Sequence, residues 1–193
     1  MSKDLPIKRL GELAVVKKGL SSYYLRKGGV NVPVINVKDV QSGKVNAKTV
    51  DRVFVRKTDH LKESQISLGD VIVTIKGHSF RVAVADESVA DFVISANLAA
   101  LTPSSEIKPE IIAAYLNSSK GQRELLARAG GSGMIKGLNI KSLLEVPIPI
   151  PSQEEQETLS RFLTLAQEHE DLLRRELDLR NKIKETIIAQ VME

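Results

Sequence analysis

The chain has 193 residues and no cysteine, which is room for one domain, or one domain with an appendage, and excludes a disulfide framework or a thiolate metal site. The net charge of +4 is unevenly spread. Residues 1–150 hold 22 Lys and Arg against 14 Asp and Glu, net +8, and residues 151–193 hold 6 against 10, net −4. The N-terminal MSKDLPIKRLGEL has no apolar run long enough for a signal peptide, and no stretch is apolar enough to span a bilayer, so a soluble protein of the cytoplasm with no membrane partner is expected.

Taken in order, residues 5–19 form a short apolar segment closed by Gly19. LSSYYLRKGG, residues 20–29, has the hydroxyls, cations and glycines of a loop. VPVINV, residues 32–37, is β-branched and predicts a buried strand, and KDVQSGKVNAK supplies turn residues. TVDRVFV, residues 49–55, alternates like a half-buried strand. LGDVIVTIKG, residues 68–77, predicts a strand, with VAVA at 82–85 returning as the second arm of a hairpin. FVISANLAALTP, residues 92–103, predicts one further strand.

Helical spacing then takes over. Pro109 opens PEIIAAYLN, with Ile112, Tyr115 and Leu116 as its buried side, and Ser119 is placed to cap KGQRELLARA. The glycine-rich GGSGMIKG, residues 130–137, breaks the pattern before LNIKSLLEVPIPIP. From Pro151 onward there is neither Gly nor Pro, and Ser152 with Glu155 has capping-box spacing. A helix of some forty residues spans roughly 60 Å, about twice the breadth of a small domain. One apolar stripe runs Leu159, Leu163, Ala166, Leu173, Leu177, and a second runs Leu165, Leu172, Leu179, Ile183, Ile187. QEHED, residues 167–171, interrupts the face. Two stripes of this length need more cover than one small domain offers, which points to a projecting helix seeking a second helix, the alternative being an amphipathic helix folded back on its own domain. The order of elements gives an α+β class: a β-rich globular domain at 1–150, then a long helix at 151–193 that pairs as an antiparallel coiled coil.

Catalytic signatures are missing. Gly131-Ser132-Gly133 has no Lys-Ser/Thr pair at phosphate-loop spacing, and Thr74 stands where a metal-dependent nuclease places a carboxylate two residues before its lysine. His60, His78 and His169 are scattered, so no metal site is expected. Binding chemistry is better represented. Lys17, Lys18, Ser21, Ser22, Tyr23, Tyr24, Arg26 and Lys27 fall in one short stretch; Lys76, His78, Ser79 and Arg81 mark the hairpin tip; Lys136 and Asn139 flank the glycine-rich loop. These side-chain types contact phosphates and base edges of DNA.

In content and order, IKRLGELAVVKKG, VPVINVKDV, LGDVIVTIKG, ISANLAALTP, YLNSSKGQRELL and above all LNIKSLLEVPIPIPSQEEQETLSRFL resemble the DNA-specificity (S) subunit of type I restriction–modification enzymes. The resemblance implies a target recognition domain reading a half-site of double-stranded DNA in the major groove. It also implies a conserved helix that sets the distance between two such domains and docks methyltransferase (M) subunits and, for restriction, a restriction (R) subunit. The chain itself would be non-catalytic and cofactor-free, with S-adenosylmethionine and ATP carried by its partners. S subunits have two recognition domains and two helices where this chain has one of each, so it is either a half-size subunit forming a homodimer or a fragment. The alternative reading is an unrelated dimeric DNA-binding regulator with a coiled-coil stalk.

Overall fold

VIVT at residues 71–74 and LAAL at 98–101 are apolar at almost every position, the pattern of strands covered on both faces. In the computed structural model they lie side by side at the centre of the domain. The structure describes residues 5–41, 43–56, 59–77, 79–131 and 136–192.

The chain opens with β1 (Ile7–Arg9), a single turn α1 (Leu10–Leu13) and β2 (Ala14–Lys18), and a 3₁₀ turn at Ser22–Tyr24 leads into β3 (Leu25–Ile35). Then come β4 (Gly43–Lys44), β5 (Asp51–Val55), α2 (Asp59–Glu63), β6 (Val71–Thr74), β7 (Lys76–Gly77), β8 (Val82–Val84), β9 (Val93–Ile94) and β10 (Leu98–Pro103). The C-terminal third is α3 (Pro109–Asn117), α4 (Ser119–Arg128), β11 (Lys136–Gly137), α5 (Ile140–Leu144), β12 (Pro147–Pro149) and α6 (Gln153–Met192).

Among the described residues, β2, β10, β6, β8 and β4 form a five-stranded sheet in that order, and β5, β3 and β9 form a second sheet. Val71, Val73, Ala99 and Leu101 face a core closed by α1, α3, α4 and α5, while Ile72, Leu98 and Ala100 face a second core shared with Ile35, Val40 and Ile66. The α+β class is therefore as the element order implied.

Several local expectations change. The run at 92–103 is two strands: β9 pairs in parallel with β3 in one sheet, and β10 pairs with β2 and β6 in the other, so residues 95–97 carry the chain between sheets. Half of the predicted loop at 20–29 is strand, because β3 begins at Leu25 and pairs with β5 through a bulge. The cap of α4 is Ser118, whose hydroxyl accepts from the Gly121 N–H (3.2 Å), and not Ser119. α2 and α5 had no predicted counterpart. The β6–β8 hairpin, the strand at β5 and the buried Ile112 and Leu116 of α3 are as expected.

The root of α6 is tightly tied. β12 pairs antiparallel with β1, matching Ile7 with Pro149 and Arg9 with Pro147, and the Ile150 N–H donates to the Pro6 carbonyl (2.8 Å). The Ser152 N–H donates to Glu155 Oε2 (2.9 Å), and the Glu155 N–H returns to Ser152 Oγ (3.4 Å), which closes the capping box. Gln156 is 1% exposed: its Oε1 accepts from the Lys108 N–H (2.9 Å), and its Nε2 donates to the carbonyls of Glu106 (3.0 Å) and Pro151 (3.1 Å).

Beyond its root the helix passes α3, with Ser160 bonded to Glu110 (3.3 Å) and Leu163 packed on the first core. It then meets β4 and Gln41 ahead of it: Lys44 of β4 pairs with Asp171, and the Arg174 guanidinium donates to Gln41 Oε1 (3.2 Å). The hydrogen bond from Lys44 holds the Asp171 carboxyl below the ordinary carboxylate range against the opposing effect of burial, with Gln167 and Arg174 assisting. A depressed folded-state value means that this pair stabilises above the ordinary carboxyl pKa and is lost as pH falls through the lowered one. From Leu172 to Met192 every residue is exposed. No described helix is long and apolar enough to cross a membrane.

Replacing Gln156 with Leu strands one buried N–H and weakens the satisfaction of two carbonyls, so a loss of about 2–4 kcal/mol in unfolding free energy is expected. Urea denaturation followed by circular dichroism measures it, and a loss below about 0.5 kcal/mol would contradict the anchoring role.

Candidate nucleic-acid interface

Strand register decides where the basic segments go. On β10, Ala99 is matched by Lys18 of β2 and by Val73 of β6, while Leu98 is matched by Thr74. The C-terminal ends of β2 and β6 therefore lie at the same end of the five-stranded sheet, and the chain after each leaves from that end. The turn at residues 95–97 sits between them: the Ile75 N–H donates to the Asn97 carbonyl (2.9 Å). Gly19 lies so close on the other side that a Cβ there would stand 1.9 Å from the Ser95 oxygen. β7 extends the β6 side and pairs with β11, so Lys76 opposes Gly137 and Lys136 opposes Gly77. Three segments remote in sequence thus meet at one end of the sheet.

Within this group the side chains differ in what they are free to do. Lys18 and Lys76 are exposed and Lys136 is half-buried. Lys17 is turned back along the sheet: its Nζ lies 2.8 Å from Asp70 Oδ2 and 3.2 Å from Ser67 Oγ. Asp70 is 1% exposed and also accepts from the Ser67 N–H (2.8 Å) and the Thr102 hydroxyl (2.6 Å). Lys17 is the countercharge of that buried carboxylate. Arg81 is likewise engaged, donating to the Val40 carbonyl (2.9 Å). Asn139 accepts from the Ser142 N–H (2.8 Å) and caps α5. Ser79 is exposed and lends its carbonyl to the Thr74 hydroxyl (3.2 Å). Arg26 and Lys27 lie on β3 with side chains outside what the structure describes, and His78 lies outside the described residues.

Ser21 and Ser22 are exposed, Ser22–Tyr24 forms a 3₁₀ turn, and the two tyrosine rings meet edge to face at 5.4 Å. Tyr24 also contacts the ring of His60 on α2 (5.2 Å), and His60 Nδ1 lies 2.9 Å from Glu63. α2 thereby adds His60 and Lys62 to the basic surface, and Lys18, Lys62, Glu63, Gln65 and Asp91 border an open cleft of about 510 Å³ beside it. The sequence signal for these residues was weak, because the polar stretch TDHLKES between two strands reads equally well as a connection. Among the described residues, no group of acids and histidines could hold a metal ion.

On α6 the apolar residues divide by face. Leu163 and Ala166 are half-buried on the side of the domain, and Leu159 is a little under half exposed. Leu165, Leu172, Leu173, Leu177, Leu179, Ile183, Ile187 and Ile188 are more than half exposed.

A chain with these elements in this order belongs to a known class: the model of the type I restriction modification DNA specificity domain matches residues 2–187, and the chain is a member of that family. It is 25% identical over 130 residues to the type I restriction enzyme EcoBI specificity subunit of Escherichia coli, covering 67% of this chain and 27% of that protein. Solved structures share the fold, among them these two. A chain of a type I R-M complex, from work on its assembly and conformational transition, superposes with TM-score 0.63 at 21% identity over 91% of this chain and 41% of its own. The HsdS subunit of Thermoanaerobacter tengcongensis gives 0.61 at 22% identity over 91% and 40%. The chain thus spans about a quarter of the curated relative and two fifths of the solved chains.

Replacing Lys17 with Ala leaves the buried Asp70 carboxylate without its countercharge and should lower stability by about 2 kcal/mol, whereas Lys18→Ala should stay within about 0.5 kcal/mol. Parallel thermal melts distinguish the two lysines, and equal melting temperatures would show that the Lys17–Asp70 pair is not structural.

Proposed function

We propose that the chain is a DNA-reading specificity subunit whose globular part, residues 1–150, recognises one half-site of duplex DNA. In this reading the long helix, residues 151–193, pairs with that of a second copy. The observation that carries it is the convergence of three basic segments at one end of a single sheet, within a family of DNA specificity domains. Lys18, Lys76 and Lys136 supply phosphate contacts, while Tyr23, Tyr24, Ser79 and His60 stand nearest to base edges. Lys17, Arg81 and Asn139 shape the surface from beneath.

The exposed apolar face of α6 supports pairing. The eight large side chains more than half exposed between Leu165 and Ile188 are costly in water and find cover in an identical helix. Two-fold pairing places the same surface on both sides of the contact, and an antiparallel arrangement sends the two domains to opposite ends. Identical domains then read an inverted repeat separated by a spacer. Methyltransferase subunits dock on the paired helices and carry out methyl transfer in the cytoplasm, with a restriction subunit joining for cleavage. The chain itself performs no chemistry.

Charge reversal at Lys18, Lys76 and Lys136 in the assembled enzyme should weaken binding to all duplexes and reduce the salt slope by about one for each phosphate no longer neutralised. Fluorescence anisotropy across a salt series reads both quantities, and an unchanged slope would remove this surface from the interface. Leu172→Glu together with Ile183→Glu should convert the wild-type dimer to a folded monomer by light scattering. A wild-type chain that is monomeric at high micromolar concentration would defeat the pairing. Mapping methylated sites in cells carrying the cognate methyltransferase should return an interrupted palindrome, and two different half-sites would identify a second, different specificity chain as the partner.

A further inference from the structure

The last contact between the globular domain and α6 is a cluster of three polar meetings at one place. Gln41 meets Arg174, Lys44 meets Asp171, and Gly43 lies against Gln167. Gln167, Asp171 and Arg174 are spaced by four and three residues, so one face of the helix makes all three contacts. Gly43 has φ +93°, and a Cβ there would stand 2.7 Å from Gln167 Oε1, so the close approach depends on a residue without a side chain. Gln167 Nε2 also donates to Asp171 Oδ1 (3.2 Å), which orients the carboxylate toward Lys44. β4, just beyond Gln41, is the edge strand of the five-stranded sheet farthest from β2, so the contact ties the far side of the domain to the helix.

We propose that this cluster is a latch that fixes the bearing of the recognition domain on the helix and so determines the single spacing at which two half-sites are read. The inference rests on the proposed pairing of two copies. Its physical basis is leverage. The root of α6 at Gln156 fixes one point, and the latch fixes a second about 15 to 18 residues, or roughly 25 Å, farther along. Two fixed points define a direction where one permits a swing. From Gln156 to Met192 the helix runs roughly 54 Å, so with the latch open a swing of about 6° about the root moves its end by about 6 Å and residue 185 by about 5 Å. That exceeds the roughly 3.4 Å rise of one base pair. Lys44 and Asp171 are thus positioning residues for spacer length and touch no base themselves. Half-site sequence is read elsewhere, at the basic end of the sheet, and stays the same when the latch is opened.

The test uses Lys44→Glu, Asp171→Lys and the charge-swapped double variant, each in the full chain. The protein has no cysteine, so Glu87→Cys on the domain and Glu185→Cys on the helix place a spin-label pair at unique sites, diluted into unlabelled chain. Each single variant should broaden the intramolecular distance distribution by about 5 Å, and the double variant should narrow it again. In cells with the cognate methyltransferase, each single variant should methylate the wild-type half-sites at additional spacers differing by about one or two base pairs, and the double variant should return to one spacer. Single variants that keep the wild-type distance distribution, or that broaden it while keeping one spacer, would overturn the proposal. If Lys44→Glu fails to fold, Lys44→Ala/Asp171→Ala opens the latch without creating a like-charge clash, and the same two readings decide. A wild-type chain with no two-part methylation target would instead defeat the proposed function, and the distance measurement would still judge the latch.

Discussion

The geometry of this protein depends on how α6 is rooted. Pro147 and Pro149 bring no N–H to a ladder, so VPIPIP can pair only as a short edge ribbon, and it does so with β1, remote in sequence. Ile148 points into the first core and is fully buried. The chain therefore reaches Ser152 already extended and already fixed in direction. The capping box then starts the helix at a defined residue, two hydrogen bonds of Gln156 close the junction against the segment before α3, and a third ties it to Pro151. A forty-residue helix pinned this way carries a direction as well as a length.

Much of the architecture was legible because the sequence is locally consistent. The capping box, the proline exit, the hairpin of β6 and β8 and the buried side of α3 each rest on a short-range rule that tertiary contacts had no cause to override. The misses share a different cause. FVISANLAALTP is apolar enough to read as one strand, and only the presence of two sheets, invisible to local pattern, cuts it at residues 95–97. The loop at 20–29 contains the start of β3 because pairing with β5 outweighs two glycines. Register likewise decides which basic residues stand free. Nothing local to KKG indicates that Lys17 is turned toward a buried carboxylate remote in sequence while its neighbour Lys18 is exposed.

The interruption of the apolar face at QEHED is the most instructive case. Periodicity marks residues 167–171 as a gap, and a gap is a defect only if the face has one partner. Gln167 and Asp171 are turned instead toward Gly43 and Lys44 of β4. The polar residues are thus the contacts of a second face, with Leu163 its main apolar member.

α6 consequently inverts the usual amphipathic helix, which turns its apolar side to its own domain. Here the inward contacts past the root are mostly hydrogen bonds and ion pairs, and the large apolar side chains point away. The two kinds of contact do different things. Polar contacts are directional, contribute little net stability when partly exposed, and hold an orientation. Apolar burial is non-directional and supplies the free energy of association. In the proposed pairing, a polar outer face would give a second helix little reason to bind, and an apolar seam alone would hold the helix's orientation less sharply. Under that proposal the domain sets the direction of the rod, and the rod's outer face sets what it joins.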